Sequence, residues 1–263
     1  MSPAFSTIPL HPHLGVEVRG VKLRPGLDQT SLQALWQLLD EHSLLVFRDN
    51  PISDDDLLAL STQLGSPDGG VRRYKVEGPA AESAKPSRWH SHGGISGPDP
   101  AVLCVSSLNE CPEGGEIEFS AARAAYEALD DSRKHSIDGL MAIHRFGAIA
   151  HGGGAGSNAG VRQPLVHTDA VTKKRALFVG YHAVEIEGMP EATATPLLAD
   201  LHTFATQERF VYRHQWRAGD LLLWDLCALL HHTNPVRSKS NRTLHEVIVA
   251  ARGGVQTHQS RTR

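Results

Sequence analysis

Short apolar runs, each closed by a turn signal, fill the chain from Pro86 to Ala250 and limit it to an architecture of many small strands. The runs occupy 88–95, 101–108, 115–120, 164–168, 175–180, 183–188, 209–216, 220–226 and 242–250, with helical spacing over 120–130 and 193–206 between them. This pattern predicts a mainly β fold with flanking helices, as a sandwich or barrel. Ahead of it, "LGVEVRGVKL" alternates like a half-buried strand and "LLVFRD" (44–49) reads as a short buried one. "TSLQALWQLLDEHS" carries Leu32, Leu35, Trp36 and Leu39 on one helical face, with Thr30 or Ser31 as cap. "SDDDLLALSTQLG" predicts a second helix, with Ser53 and Asp56 at capping-box spacing and Gly65 at its end. Residues 66–87 and the glycine-rich "HGGGAGSNAG" (151–160) keep no period and are expected as loops. No repeat or linker divides the chain, so a single domain over 1–263 is expected.

Composition narrows the partners. A chain of 263 residues can bury roughly three quarters of its unfolded surface in one large core. A net charge of −3 leaves no basic footprint for nucleic acid, and no apolar run reaches membrane-span length. The first residues lack the charged and apolar regions of a signal peptide. Cys104, Cys111 and Cys227 show no paired spacing, so a reducing cytoplasm is expected.

The 16 histidines carry the chemistry. In "RWHSHGG" (88–94), an extended backbone puts His90 and His92 on one side and Ser91 on the other. Two imidazoles so placed can grip a metal, although a pair of solvent-facing loop histidines would look the same. "GDLLLWDLCALLHHTNPV" (219–236) reads as a buried strand, a tight turn and a histidine pair, and only one of His231 and His232 can face inward. In "NRTLHEVIVA", Arg242, Leu244, Glu246 and Ile248 share one face, with Thr243, His245, Val247 and Val249 on the other. An arginine on a central strand is costly unless it meets an anion, and its planar fork suits a carboxylate. Glu246, on the same face, could satisfy it without any ligand.

The ordered segments "WHS-H…PEGGEIEFS…AYEAL…FVYRHQWRAGDLLLWD…H…NR" resemble the taurine dioxygenase family of iron(II)- and 2-oxoglutarate-dependent oxygenases. Within that family, the aryloxyacetate dioxygenase branch is similar over nearly the whole chain. The resemblance implies a double-stranded β-helix (jelly roll) core with Fe(II) at its open end, held by His-x-Asp and a distal histidine. It places His90 at the first metal position and His231, seven residues after Trp224, at the distal one. Arg242, eleven residues further on, falls where the family anchors the far carboxylate of 2-oxoglutarate. A small organic substrate, molecular oxygen and a homo-oligomeric assembly are implied as partners. His144 and His214 fall in segments that resemble the family core, whereas His11, His13, His135, His202 and His258 are expected at the surface. Trp89 either packs or walls the substrate pocket.

Three departures bear on function. His92 replaces the metal carboxylate, which raises the charge of the ligand set by one unit. Ile117 stands where the family usually has a threonine that hydrogen-bonds 2-oxoglutarate. Glu246 stands four residues after the anchoring arginine, where these relatives place a second arginine, so a neutral or amine-bearing substrate is expected. The expected activity is therefore a 2-oxoglutarate-dependent oxygenase with a three-histidine metal site, His90, His92 and His231. The alternatives are an oxygenase or lyase that dispenses with 2-oxoglutarate, or a jelly-roll binding protein without catalysis.

Overall fold

The computed structural model describes residues 5–76, 88–91, 103–108, 115–145, 160–234 and 242–252. Its largest sheet runs in the order β1 (Ser6–Pro9), β2 (Val16–Arg19), β3 (Leu44–Phe47), β14 (Asp220–Asp225), β6 (Leu103–Leu108), β16 (Arg242–Arg252) and β4 (Gly65–Pro67). An eighth strand, β5 (Arg72–Val76), also pairs with β16. Facing this sheet are two of three strands each. One is β13 (Val211–His214), β7 (Ile117–Ala121) and β15 (Leu229–Thr233); the other is β12 (Ala183–Ile186), β8 (Met141–His144) and β9 (Val161–Pro164). A ribbon of β10 (Val166–Thr168) and β11 (Arg175–Leu177) accompanies them. The helices are α1 (Gln29–His42), α2 (Asp54–Leu64), α3 (Ala122–Glu127), α4 (Asp131–Ile137) and α5 (Glu191–Ala205).

The large sheet is buried on both faces. On one side, Leu45, Phe47, Leu221, Leu223, Val247 and Val249 pack with Leu35 and Leu39 of α1 and Leu57, Leu60 and Leu64 of α2. On the other, Leu44, Val46, Leu222, Trp224, Leu244 and Ile248 meet Phe119, Leu229 and Leu230 from the smaller sheet. A strand covered on both faces has no polar side to show, which is why "LLVF" and "DLLLWD" read as continuous apolar runs. The face assignment on β16 holds: Leu244 and Ile248 enter the inner core, Val247 and Val249 the outer one.

Local expectations fail where a partner outside the window decides. Ser53 caps α2 as expected, accepting from the Asp56 amide at 3.2 Å. The cap of α1 is Asp28 instead of Thr30 or Ser31; its carboxylate accepts from the Ser31 amide at 2.7 Å. The expected loop 66–87 contains β5 and most of β4. The outer edge of the eleven-residue β16 takes β5 at one end and β4 at the other, satisfying edge groups that local periodicity ignores. The helix expected over 120–130 is α3, and a further helix, α4, follows it where Asp130 accepts from the Arg133 amide at 2.8 Å. Strands β8 and β9 were not foreseen. The glycine-rich stretch 151–160 lies outside the described residues except for Gly160.

Leu223 is 1% exposed and supports the helix-covered face of the sheet. Leu223→Ala is expected to lower the unfolding free energy by about 2–5 kcal/mol, measured by urea denaturation.

Candidate metal centre

Two local structures bring the histidines together. Strand β14 ends at Asp225, whose carboxylate accepts from the amides of Cys227 at 2.8 Å and Ala228 at 3.0 Å. Those bonds turn the chain tightly into β15, and Arg123 braces the turn from α3 with a 2.6 Å bond to the same carboxylate. Strand β15 then pairs antiparallel with β7, setting His231 opposite Phe119 and His232 opposite Glu118.

On its other edge β15 meets the segment 88–91. His90 donates its amide to the His231 carbonyl at 2.9 Å, and His231 returns the bond at 2.8 Å. Residues paired in this way project their side chains to the same face. The imidazoles of His90 and His231 accordingly lie with ring centroids 4.3 Å apart. Their neighbours occupy the opposite face, where Trp89 stands edge-on to His232 at 4.3 Å. His232 is committed there to Glu118, with Nε2 3.1 Å from the carboxylate. Hydrogen bonds from Asn234, Arg213 and His232 hold that carboxyl below its ordinary range despite the opposing effect of burial. Of the two adjacent histidines, His231 is the one paired with His90, and Trp89 is a packing residue.

The donor chemistry suits a metal. The Arg88 carbonyl, 2.7 Å from His90 Nδ1, can only accept, so Nδ1 carries the proton and Nε2 keeps its lone pair. A ligand imidazole needs this tautomer, fixed by a partner on its far nitrogen. Burial pushes the His90 pKa down, which also favours the neutral ring. His231 is 3% exposed and lies between the rings of Trp224, 5.6 Å away, and Phe119, 6.3 Å away. His92 lies outside the described residues, among which no group of three or more His, Cys, Asp or Glu side chains gathers for a metal.

Arg242 opens β16, its backbone opposite Val76 of β5. Glu246 is buried further along the same strand, between Ser106 and Arg72 in register, on the face that carries Leu244 and Ile248 into the inner core. Ile117 is buried in that core, opposite Thr233 of β15.

Several histidines behave differently from expectation. His144 and His214 are fully buried, as foreseen. His202, expected at the surface, is half-buried on α5, because the helix face carrying Leu198 and Leu201 docks against the core. His182 was not singled out from sequence. It is 1% exposed, with Nδ1 2.7 Å from Nδ1 of His144. The two residues are far apart in sequence, so no local motif signals their meeting.

The family model described as "Taurine catabolism dioxygenase TauD, TfdA family" matches residues 6–248. An alpha-ketoglutarate-dependent 2,4-dichlorophenoxyacetate dioxygenase of Cupriavidus pinatubonensis is 34% identical over 258 residues, covering 85% of this chain and 90% of that protein. An (S)-phenoxypropionate/alpha-ketoglutarate-dioxygenase of Sphingobium herbicidovorans is 32% identical over 266 residues, covering 89% and 91%. The crystal structure of AAD-2 with Mn(II) and N-oxalylglycine superposes with a TM-score of 0.83 at 28% identity, over 95% of this chain and 98% of that one.

Burial lowers the His144 pKa from 6.5 to about 4, so the folded protein keeps this ring neutral where the unfolded chain would take up a proton. Stability is therefore expected to fall as pH drops from 6.5 towards 4, with His144 accounting for about 3 kcal/mol of the loss. Urea unfolding of wild type and His144→Asn at pH 7.5 and 4.5 measures it, and the variant should show the shallower dependence.

Proposed function

The chain belongs to the taurine catabolism dioxygenase TauD, TfdA family, and we propose that it oxidises a neutral or amine-bearing small molecule at iron held by His90, His92 and His231. It is an Fe(II)- and 2-oxoglutarate-dependent dioxygenase with a jelly-roll core. The observation that carries the site reading is the His90–His231 backbone pair, which sets two imidazoles on one face, with the His90 ring oriented by the Arg88 carbonyl. When bound, iron supplies the redox chemistry that couples 2-oxoglutarate decarboxylation to oxidation of the substrate by dioxygen.

The protein's own groups orient and exclude. The Arg88 carbonyl holds the His90 ring in its tautomer. Phe119 and Trp224 wall His231 and keep water from it. Arg242 receives the far carboxylate of 2-oxoglutarate, as its place at the head of a central strand suggests. Glu246, four residues on, gives that stretch of strand a carboxylate, which repels an anionic substrate group and favours a neutral or cationic one. The relatives named for 2,4-dichlorophenoxyacetate and (S)-phenoxypropionate act on carboxylates, so the substrate proposed here differs from theirs in charge.

The chain is read as one domain over 1–263, since the large sheet draws strands from both halves of the sequence. No helix among the described residues is long and apolar enough to cross a membrane. A homo-oligomer and a cytoplasmic setting complete the reading; light scattering on the purified protein tests the first.

Anaerobic addition of Fe(II) and then 2-oxoglutarate should produce the weak visible charge-transfer band of a chelated 2-oxoacid. Iron binding without that band would move the reading to a 2-oxoglutarate-independent oxygenase. His231→Ala should lose iron binding and turnover together. Arg242→Ala should retain iron but bind 2-oxoglutarate more weakly by about 2 kcal/mol or more, roughly 30-fold. A full panel of anionic substrates turned over in preference to neutral and amine-bearing ones would sink the Glu246 assignment.

A further inference from the structure

Ser91 directly follows the proposed ligand His90, which makes an isolated bridge to His231. A single bridge leaves the direction of the His90 ring dependent on how the adjoining backbone is held. A group that grips Ser91 therefore acts on the ligand beside it.

That grip is supplied by His182. Its Nε2 lies 3.3 Å from the Ser91 amide nitrogen and 3.1 Å from the Ser91 carbonyl oxygen, so either tautomer holds the backbone of this one residue. Its Nδ1 lies 2.7 Å from Nδ1 of the fully buried His144, which stops the ring from turning away. The seat beneath it is Gly180. A Cβ at that position would stand 2.6 Å from His182 Nε2 and 3.1 Å from His90 Cα, so only glycine lets the imidazole and the ligand-bearing backbone approach this closely. The same segment is tied down on its other side, where Tyr181 donates its amide to the Trp89 carbonyl at 2.9 Å. The Ser91 hydroxyl bonds the Leu226 carbonyl in the β14–β15 turn.

We propose that His182 is a positioning residue of the metal centre: seated on Gly180 and braced by His144, it clamps Ser91 and so fixes the backbone beside the ligand His90. The proposal rests on the reading that these histidines bind metal. It assigns His182 no contact with metal, cosubstrate or substrate.

The test is Mn(II) affinity of the full-length protein, followed by loss of the free-ion electron paramagnetic resonance signal, without 2-oxoglutarate or turnover. His182→Leu removes the clamp at similar volume, and His182→Gln keeps a hydrogen-bonding group at the Nε2 position. Loss of a group that orients metal ligands weakens binding by roughly 10–100-fold, so His182→Leu should bind Mn(II) at least about tenfold more weakly, while His182→Gln stays within about threefold of wild type. Gly180→Ala should reproduce the loss with His182 still present, and it decides the matter if His182→Leu does not fold. His90→Ala separates the two readings. If wild type and His90→Ala bind Mn(II) alike, the metal-site reading fails. If His90→Ala abolishes binding while His182→Leu, or Gly180→Ala in its place, binds like wild type, the positioning role is overturned.

Discussion

The exchange of two backbone hydrogen bonds between His90 and His231 is the constraint on which the centre depends. The residues come from segments joined only through the tertiary fold, and the bridge brings their imidazoles to one face. The same alternation sends Trp89 and His232 together to the opposite face, where Glu118, Arg213 and Asn234 complete a polar network. One pairing thus separates the face carrying His90 and His231 from the face carrying Trp89 and His232. It works because β15 is itself held in register by β7 and started by the Asp225 turn.

Rigidity reaches this bridge from the layered core. The large sheet is packed on one side against α1 and α2 and on the other against the smaller sheet. Trp224, fully buried, belongs to both structures: it sits in the large-sheet strand β14 and presents its ring to His231. A packed interior does not deform smoothly, so a ligand set against such a wall keeps its geometry. The many histidines also divide by this architecture. His90 and His231 share the candidate metal face, while His144 and His182 bond backbone or one another in a buried place.

The candidate site residues could be singled out in the sequence because their signals lie in short stretches. The i, i+2 spacing of His90 and His92, the alternation of β16 and the Trp224-to-His231-to-Arg242 spacing each lie within one short segment. The resemblance over the chain placed those segments in one family, and the match over residues 6–248 bears that out. What escaped notice was non-local. Strands β4 and β5 lack a period of their own and exist because β16 offers them an edge. His182 carries no motif, and its meeting with His144 depends on how β8 and β12 pair.

By itself, then, the sequence determined the β architecture, the family and the alternation that limited the inward residue to His231 or His232. Alternation is a property of the extended backbone and needs no partner to be read. The tertiary structure alone decided between the two, because a face becomes inward only when another chain segment covers it. It also decided that the His182 imidazole, just ahead of β12, would lie against Ser91. That contact needs the absence of a side chain at Gly180 and the burial of two rings from separate strands, and neither is a feature of any single stretch of sequence.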